Sequence, residues 1–524
     1  MMHVSRDGLP VSSLVSRPSA SRLAGDDVRF PIALMLGWFA AQVVLRVLVS
    51  DSLELDEAEQ TLAARELALG YGSQPPLYTW LQHAFFRIFG VSVFSLALAK
   101  NLMLFAAGAF TLLAARLVTT RRAAWLGTLS MLWLVSLSWE AQRDLTHTVL
   151  ATTTSAGALY AFVSVAQRPT TSRYAALGLA LGLAMLAKYN NVAFAALLCA
   201  TTLVVPELRR RVVSARLMWT IVVALLVVAP HAIWLLEHWQ LASAGTMTKM
   251  GVDPARMSAV GLGSGLLALV GLATPFWIVV LGFFGRRAWS PPFAAEAARV
   301  VSAYLLLFIA MIVILVVVGG VTHFKPRWFV PGLFALPVMF FAVRPALAES
   351  RRAVAYRYAT LAFGVLLFVL LAAKVPVQGR FGTPGDLNEP VGALAAALRA
   401  DGFRQGVIVS DERRLAARLR VQFPDSIIVL ADEKIPQSAH DMPLLIIRSG
   451  DDLSSLLAKI GQKKATPGVQ RIELPYLHGD DRLPRAQYAW VSITTGVDWK
   501  CSLTTDPSRH FLHTLITRRS TPCA

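Results

Sequence analysis

The sequence predicts an all-α polytopic membrane protein that ends in a soluble α/β domain. Three observations carry that reading. Of 524 residues, 55% are hydrophobic and 16% charged, with a mean hydropathy of +0.54, where a soluble domain carries about 25% charged residues. The deficit is uneven: charge is sparse over 30–374 and ordinary afterwards. Apolar runs of membrane-spanning length recur through that first block.

Eleven segments read as spans: 30–50, 93–117, 123–139, 145–165, 174–188, 190–206, 216–236, 260–284, 299–320, 327–344 and 356–374. Segments 174–188 and 327–344 fall short of the roughly 20 residues a straight span needs, which predicts tilt or re-entrance. The first 29 residues are polar, with Arg6, Arg17, Arg22 and Arg29. The run from Phe30 to Val49 has no good cleavage site, so it reads as a retained first helix.

Loop charge gives the orientation. With residues 1–29 cytoplasmic, the inside loops are 115–122, 167–173, 207–216, 285–299 and 344–357. Each carries at least two arginines, as the positive-inside rule expects. The outside loops are 51–92, 140–144, 189, 237–259 and 321–326. The first is acidic, setting Asp51, Glu54, Asp56, Glu57, Glu59 and Glu66 against Arg65 and Arg87. An odd number of spans then puts 375–524 outside. The formal net charge of +18 reflects this loop bias, and no basic nucleic-acid module is present.

In the tail, "GVIVS" (406–410) and "SIIVL" (426–430) read as buried strands around the helix "DERRLAARLRVQF", a βαβ-like unit. "PLLIIRS" followed by "DDLSSLLAKI" repeats the order, and "AQYAWVSITTG" reads as a further strand. There is no GxGxxG and no P-loop. Cys199 lies in an apolar run and reads as inert core. Cys501 and Cys523 are candidates for a disulfide in an oxidising compartment.

The richest segment is "LELDEAEQTLAARELALGYGSQPPLYTWLQHAFFRIFG" (53–90). It predicts a helix from near Asp56 to a stop at Gly70. Pro75 and Pro76 break the chain, and a second helix starts after them. Leu77, Trp80, Leu81, Ala84, Phe85 and Ile88 then form an apolar stripe, so this helix lies in the interface with Trp80 as anchor. A carboxylate here can take a proton from an attacking hydroxyl. Capping of the helix by Asp56 and Glu57 is the competing explanation.

"LDEAEQ…GYGSQPPLYTWL" resembles the opening loop of bacterial GT-C glycosyltransferases of the PMT/ArnT-like group, glycosyltransferase family 39 and relatives. Asp56 and Glu57 match the family's acidic pair. Pro75, Pro76, Leu77, Tyr78 and Trp80 match its "PPLYYWL"-like element. Tyr71 and Gln74 fit the "GYGxQPPLYTWLQ" form of the subgroup that moves galacturonic acid onto lipopolysaccharide. The resemblance covers 30–345 and leaves the tail unmatched. It implies a GT-C fold in the bacterial inner membrane and Asp56 as catalytic base with Glu57 beside it. It also implies a polyprenyl-phosphate sugar as donor and inversion by direct displacement. Lipid A, the lipopolysaccharide core or another envelope glycan is the implied acceptor, reached on the periplasmic side.

Other polar groups follow. Glu140 and Asp144 in "WEAQRDLTH" are spaced to share a helix face, and relatives often carry an acidic residue here, near the acceptor or a metal. Capping of the next span by Asp144, paired with Arg143, is the alternative. Lys188 in "AKYNN", His323, Lys325 and Arg327 in "THFKPRWFVPGL", and Lys100 are candidates for holding the carrier phosphate. For Lys100, snorkelling to head groups is the stronger reading. "PHAIWLLEHW" offers His231, Glu237 and His238 to a divalent cation, or as ordinary interfacial polar groups.

Two other classes remain open on sequence grounds. A transporter or flippase of a lipid-linked sugar would place functional charges inside spans and repeat its halves, and no repeat stands out. A non-catalytic scaffold would tolerate loss of Asp56.

Overall fold

The computed structural model describes residues 28–252, 258–289, 294–439, 441–460, 468–480 and 482–493. The N-terminal segment up to residue 27 and the Cys501–Cys523 pairing lie outside the described residues. Helices follow in the order α1 (Arg29–Val49), α2 (Leu55–Ala63), α3 (Leu77–Phe89), α4 (Val93–Arg116), α5 (Arg121–Leu129), α6 (Ala141–Arg143), α7 (His147–Gln167), α8 (Thr171–Ala187), α9 (Asn191–Val204), α10 (Pro206–Val212), α11 (Leu217–Glu237), α12 (Trp239–Met250), α13 (Ser258–Phe284), α14 (Ala295–Val317), α15 (Pro326–Leu333), α16 (Leu336–Val343), α17 (Pro345–Ala348) and α18 (Arg351–Arg380).

Among the described residues, seven helices are long and apolar enough to cross a bilayer: α1, α4, α7, α11, α13 with its continuation to Trp289, α14 and α18. The other four expected spans are helical but short or broken. Segment 123–139 is α5 followed by a 3-10 turn at Ser130–Trp133 and a π turn at Ser136–Glu140. Segment 174–188 is the 17-residue α8. Helices α9 and α10 meet at 106°, and α15 and α16 at 43°. Proline accounts for both bends: Pro206 opens α10 and Pro337 lies in the first turn of α16, and neither has an amide N–H to continue the preceding helix. The expected loop 237–259 contains a helix, α12.

The expected loop sets separate onto two faces. The arginine-rich loops interlock: Arg122 pairs with Glu349, Arg211 Nη1 with Glu296 Oε1 at 2.7 Å and Arg299 Nη2 with Glu207 Oε1 at 2.6 Å. Gln167 Nε2 donates to the Leu117 carbonyl at 3.2 Å. The acidic loop and the tail meet on the opposite face. Cys199 is exposed on α9, which corrects its reading as core: an apolar run in a span supplies a lipid-facing side as well as a buried one.

The tail adds α19 (Val391–Ala400), β1 (Val407–Ser410), α20 (Arg413–Gln422), β2 (Ile427–Leu430), β3 (Leu444–Ser449), α21 (Ser454–Lys459), β4 (Gln470–Pro475) and β5 (Arg485–Ile493). The sheet order is β2-β1-β3-β5-β4, with β2, β1 and β3 parallel and β5 antiparallel to both β3 and β4. The βαβ unit, the second strand and helix, and β5 stand where the sequence predicts them; β4 is additional. Its residues are mostly exposed or half-exposed, so it lacks the apolar run that marked the others.

The tail does not stand apart from the membrane block. Leu394, Leu398, Phe403, Leu415, Leu419 and Phe423 form one hydrophobic core with Leu53, Ala58, Leu62, Phe86 and Leu96. Each buried leucine in it stabilises the contact by about 1.5–3 kcal/mol. The acidic loop is thus packed between helices and tail.

Candidate active site

Helix α2 is shorter than the sequence predicts. It ends at Ala63, with Ala64 as its C-cap, and not at Gly70. The Tyr71 hydroxyl explains why: it accepts the Ala68 amide at 2.8 Å and donates to the Glu66 carbonyl at 2.7 Å, holding 66–71 in a non-helical turn. Trp80 Nε1 donates to the Ala68 carbonyl at 2.7 Å, so Trp80 fastens this turn and is not a head-group anchor. Tyr71 and Gln74 pair through their backbones at 3.3 Å, and Pro75 and Pro76 are buried. Gly70 is required by closeness: a Cβ there would lie 2.3 Å from the Trp234 ring. On α3 the expected apolar stripe divides: Ala84 and Ile88 are exposed, while Leu77 is buried and Trp80, Leu81 and Phe85 pack against the core that holds Tyr78.

Glu54 and Glu57 form a capping box at the start of α2. The Glu57 carboxylate is nearly inaccessible, at 1% exposure, and takes Arg46 Nη2 at 2.6 Å and Nε at 3.2 Å, with Lys100 Nζ at 3.6 Å. Burial alone would raise its pKa; the Arg46 and Lys100 charges outweigh that and hold it at about 2. Glu57 is thus a fully ionised counter-ion to two cations in this structure. The same geometry corrects Lys100. It is 2% exposed and turned to Glu57 rather than snorkelling to the surface.

Asp56 differs from its neighbour in every respect. It is half-buried and makes no ion pair among the described residues. Its amide donates to Asp144 Oδ1 at 3.0 Å, and its own Oδ2 accepts the Thr146 amide at 3.1 Å and the Thr146 hydroxyl at 3.2 Å. Burial, and after it the Asp144 charge, push its pKa up to about 6, against the smaller opposing effect of the Thr146 amide. A carboxylate poised there is matched to accepting a proton near neutral pH.

Glu140 and Asp144 lie one helical turn apart, with the Asp144 amide on the Glu140 carbonyl at 3.0 Å, but serve different partners: Glu140 accepts from Ser136 Oγ at 3.0 Å, while Asp144 ends α6 and accepts the Asp56 amide. Arg143 lies over Trp139, 5.9 Å from the ring centroid, and forms no pair with Asp144.

Beyond Thr146, His147 Nε2 meets Gln60 Nε2 at 3.0 Å, and Gln60 Oε1 accepts from Thr79 at 2.9 Å. Tyr78 packs 5.3 Å from the His147 ring, with its phenol pushed up by burial and by the charges of Glu57 and Asp56. Lys188 Nζ donates to Thr148 Oγ1 at 2.7 Å. Asn190 Nδ2 donates to the Trp328 carbonyl at 3.0 Å, joining the Lys188 turn to the segment that carries His323, Lys325 and Arg327. Helix α15 packs against α7 and the π turn. Lys325 and Arg327 are half-buried without an ion pair among the described residues, and His323 is exposed. The Lys188 turn and the segment 323–327 are thus tied together through Asn190 and Trp328, and both pack against α7, which begins beside Thr146.

Both ring nitrogens of His231 have partners. Its Nδ1 faces the Leu69 carbonyl at 2.6 Å and its Nε2 the Tyr189 hydroxyl at 3.2 Å, and Trp234 stacks between His231 and His238. Among the described residues, no three His, Cys, Asp or Glu side chains are grouped to hold a metal ion.

Sequence reasoning missed Arg46, Thr146, Gln60 and also Lys374, whose Nζ pairs with Glu54 Oε1 at 2.9 Å. Arg46 carried a signal, since an ionisable group in the last turn of a span calls for a partner.

Residues 73–234 match the family described as dolichyl-phosphate-mannose-protein mannosyltransferase. The chain is 33% identical over 491 residues to the lipopolysaccharide core galacturonosyltransferase RgtB of Rhizobium johnstonii, covering 89% of this chain and 98% of that one. It is 32% identical over 495 residues to RgtA of the same organism, described by the same activity, covering 88% and 97%. Its fold is similar to the crystal structure of ArnT from Cupriavidus metallidurans bound to undecaprenyl phosphate, with a TM-score of 0.56, 16% identity and coverage of 88% and 97%.

Proposed function

The chain belongs to the GT-C glycosyltransferases of the PMT family, and from that premise we propose that it transfers galacturonic acid from a polyprenyl-phosphate carrier to a lipopolysaccharide-core or related envelope acceptor. A hydroxyl oxygen of the acceptor attacks the anomeric carbon, and the bond from that carbon to the phosphate oxygen breaks. Polyprenyl phosphate departs, the anomeric configuration inverts, and Asp56 takes the hydroxyl proton. Lys188, Lys325 and Arg327 hold the departing phosphate. Asp144 is the positioning carboxylate that fixes the Asp56 backbone.

One observation carries this reading: a half-buried carboxylate at the start of α2, held at about 6, beside a neighbour, Glu57, that is fully neutralised by cations. In this reading, 30–374 is the membrane block, loop 51–92 and the domain 375–524 are periplasmic, and 1–29 is cytoplasmic in a bacterial inner membrane. Mass spectrometry of envelope glycolipids from a strain lacking the gene tests it. Loss of a uronic acid restored by the wild-type gene and not by Asp56→Asn supports the proposal; an unchanged glycolipid profile overturns it.

A further inference from the structure

A feature beside the catalytic loop has no assigned role. The outer ends of α1 and α18, the turn before α2, and α6 enclose a cavity of about 40 Å³ whose polar lining is Gln42, Arg46, Glu54, Gln142, Arg143 and Lys374. Most of these groups are occupied. Arg46 is bound to Glu57 and to the Ser50 and Ser52 carbonyls at 2.8 and 2.6 Å. Lys374 Nζ pairs with Glu54 Oε1 at 2.9 Å, and Gln142 Nε2 donates to Asn101 Oδ1 at 3.0 Å.

Two donors are left over. Gln42 is 3% exposed, and its Nε2 is buried with no hydrogen-bond partner among the described residues. The Arg143 Nε is buried in the same condition. A buried donor without an acceptor costs about 1–3 kcal/mol, and more when charged, and both of these belong to residues that line the one cavity, which makes it a place for an incoming acceptor group. With Arg46 paired to Glu57 and Lys374 to Glu54, Arg143 is the lining cation left without a carboxylate among the described residues, which favours an anion. Size narrows the anion. With about 10–15 Å³ of such space per water, the cavity takes roughly three heavy atoms. That suits the carbon and two oxygens of a carboxylate.

We propose that this pocket receives the carboxylate of a uronic-type sugar, with Gln42 Nε2 and Arg143 as its hydrogen-bond donors. The inference deepens the glycosyl-transfer reading and rests on it. Arg143 immediately precedes Asp144, which holds the Asp56 amide, so a sugar gripped by its carboxylate here stands next to the proposed base. The same chemistry has two sources, the donor uronate or an acidic sugar of the acceptor.

The test uses the full-length chain in lipid nanodiscs. Polyprenyl-phosphate galacturonate and polyprenyl-phosphate galactose serve as donors, and core glycolipid with its carboxylates intact or reduced to alcohols serves as acceptor. In Arg143→Gln and Gln42→Leu, kcat/KM for the carboxylate-bearing substrate falls at least tenfold relative to its neutral counterpart, mostly through KM, and Arg143→Lys recovers part of it. Dependence on the donor pair assigns the donor, and dependence on the acceptor pair assigns the acceptor. Equal losses with charged and neutral substrates overturn the pocket. If the wild-type chain transfers nothing, the transfer reading fails. The pocket is then judged by binding of free galacturonate against galactose. A galacturonate preference that Arg143→Gln abolishes supports it, and no preference in the wild-type chain overturns it.

Discussion

Asp56 and Asp144 are joined through a backbone amide: the N–H of Asp56 donates to Asp144 Oδ1 at 3.0 Å. One carboxylate thus fixes the main chain of the other while raising the cost of ionising it. Their neighbour Glu57, one residue along, is spent on Arg46 and Lys100. Adjacent acidic residues have been given opposite tasks by their surroundings.

The pH dependence of transfer follows. A base acts when deprotonated, so kcat/KM rises through an apparent pKa near 6 and levels off above it. Asp144→Asn removes a charge that raises this value while keeping a side-chain oxygen for the Asp56 amide. The rising limb therefore moves to lower pH, as read from a pH–rate profile.

Asp56→Asn lowers kcat by about 10²–10⁴-fold, the usual contribution of a general base, and it also raises thermal stability at pH 7. The sign is fixed by the direction of the shift. Asp56 binds its proton more tightly folded than unfolded, so its ionisation opposes folding. The opposition begins as pH rises past 3.8 and is complete above about 6. Differential scanning fluorimetry at pH 7 and pH 5 checks it, with the smaller gain expected at pH 5.

Glu57→Gln destabilises by about 3–5 kcal/mol, because it leaves Arg46 and Lys100 buried without their counter-charge. Loss of folded protein in detergent, measured by size-exclusion chromatography, is the expected outcome. The wild-type pair persists under mild acid, since Glu57 protonates only near 2.

Arg418→Ala weakens transfer without touching the reacting groups. Arg418 is 5% exposed, and its Nη2 reaches Asp386 Oδ1 at 2.8 Å and the Leu53 carbonyl at 3.4 Å, just ahead of α2. Loss of that grip loosens the loop bearing Asp56, and kcat drops by about tenfold or more with KM less affected.

Gly70→Ala forces a Cβ into the Trp234 ring. The turn at 66–71 must shift, and with it Tyr71 and Trp80. Activity falls while α2 stays capped, which hydrogen exchange over 55–63 would report as unchanged protection.

The membrane block, the tail's βαβ unit and the position of Asp56 were legible because each has a local signature: an apolar run, a strand–helix alternation, an acidic pair before a "QPP" break. What escaped has partners far along the chain. Lys100 reads as snorkelling until Glu57 is seen beside it. The end of α2 at Ala63 depends on the Tyr71 hydroxyl, which no helix propensity encodes. Arg65 finds Glu433, 368 residues away, and nothing in either neighbourhood announces the other. Of the four short or broken spans, 174–188 and 327–344 were visible as deficits of length and 123–139 and 190–206 were not, and the π turn at Ser136–Glu140 leaves no mark in residue spacing.

The shared core between the acidic loop and the tail has a biosynthetic consequence. The loop emerges from the ribosome early and finds Phe86 and Leu96 soon after, yet the core around Leu53, Ala58 and Leu62 is completed by Leu394, Leu398 and Leu415 only when residues beyond 390 have been made. A nascent chain halted after its last membrane helix would be inserted and still lack a finished reaction chamber. The packing that holds the acidic loop is therefore finished only near the close of synthesis.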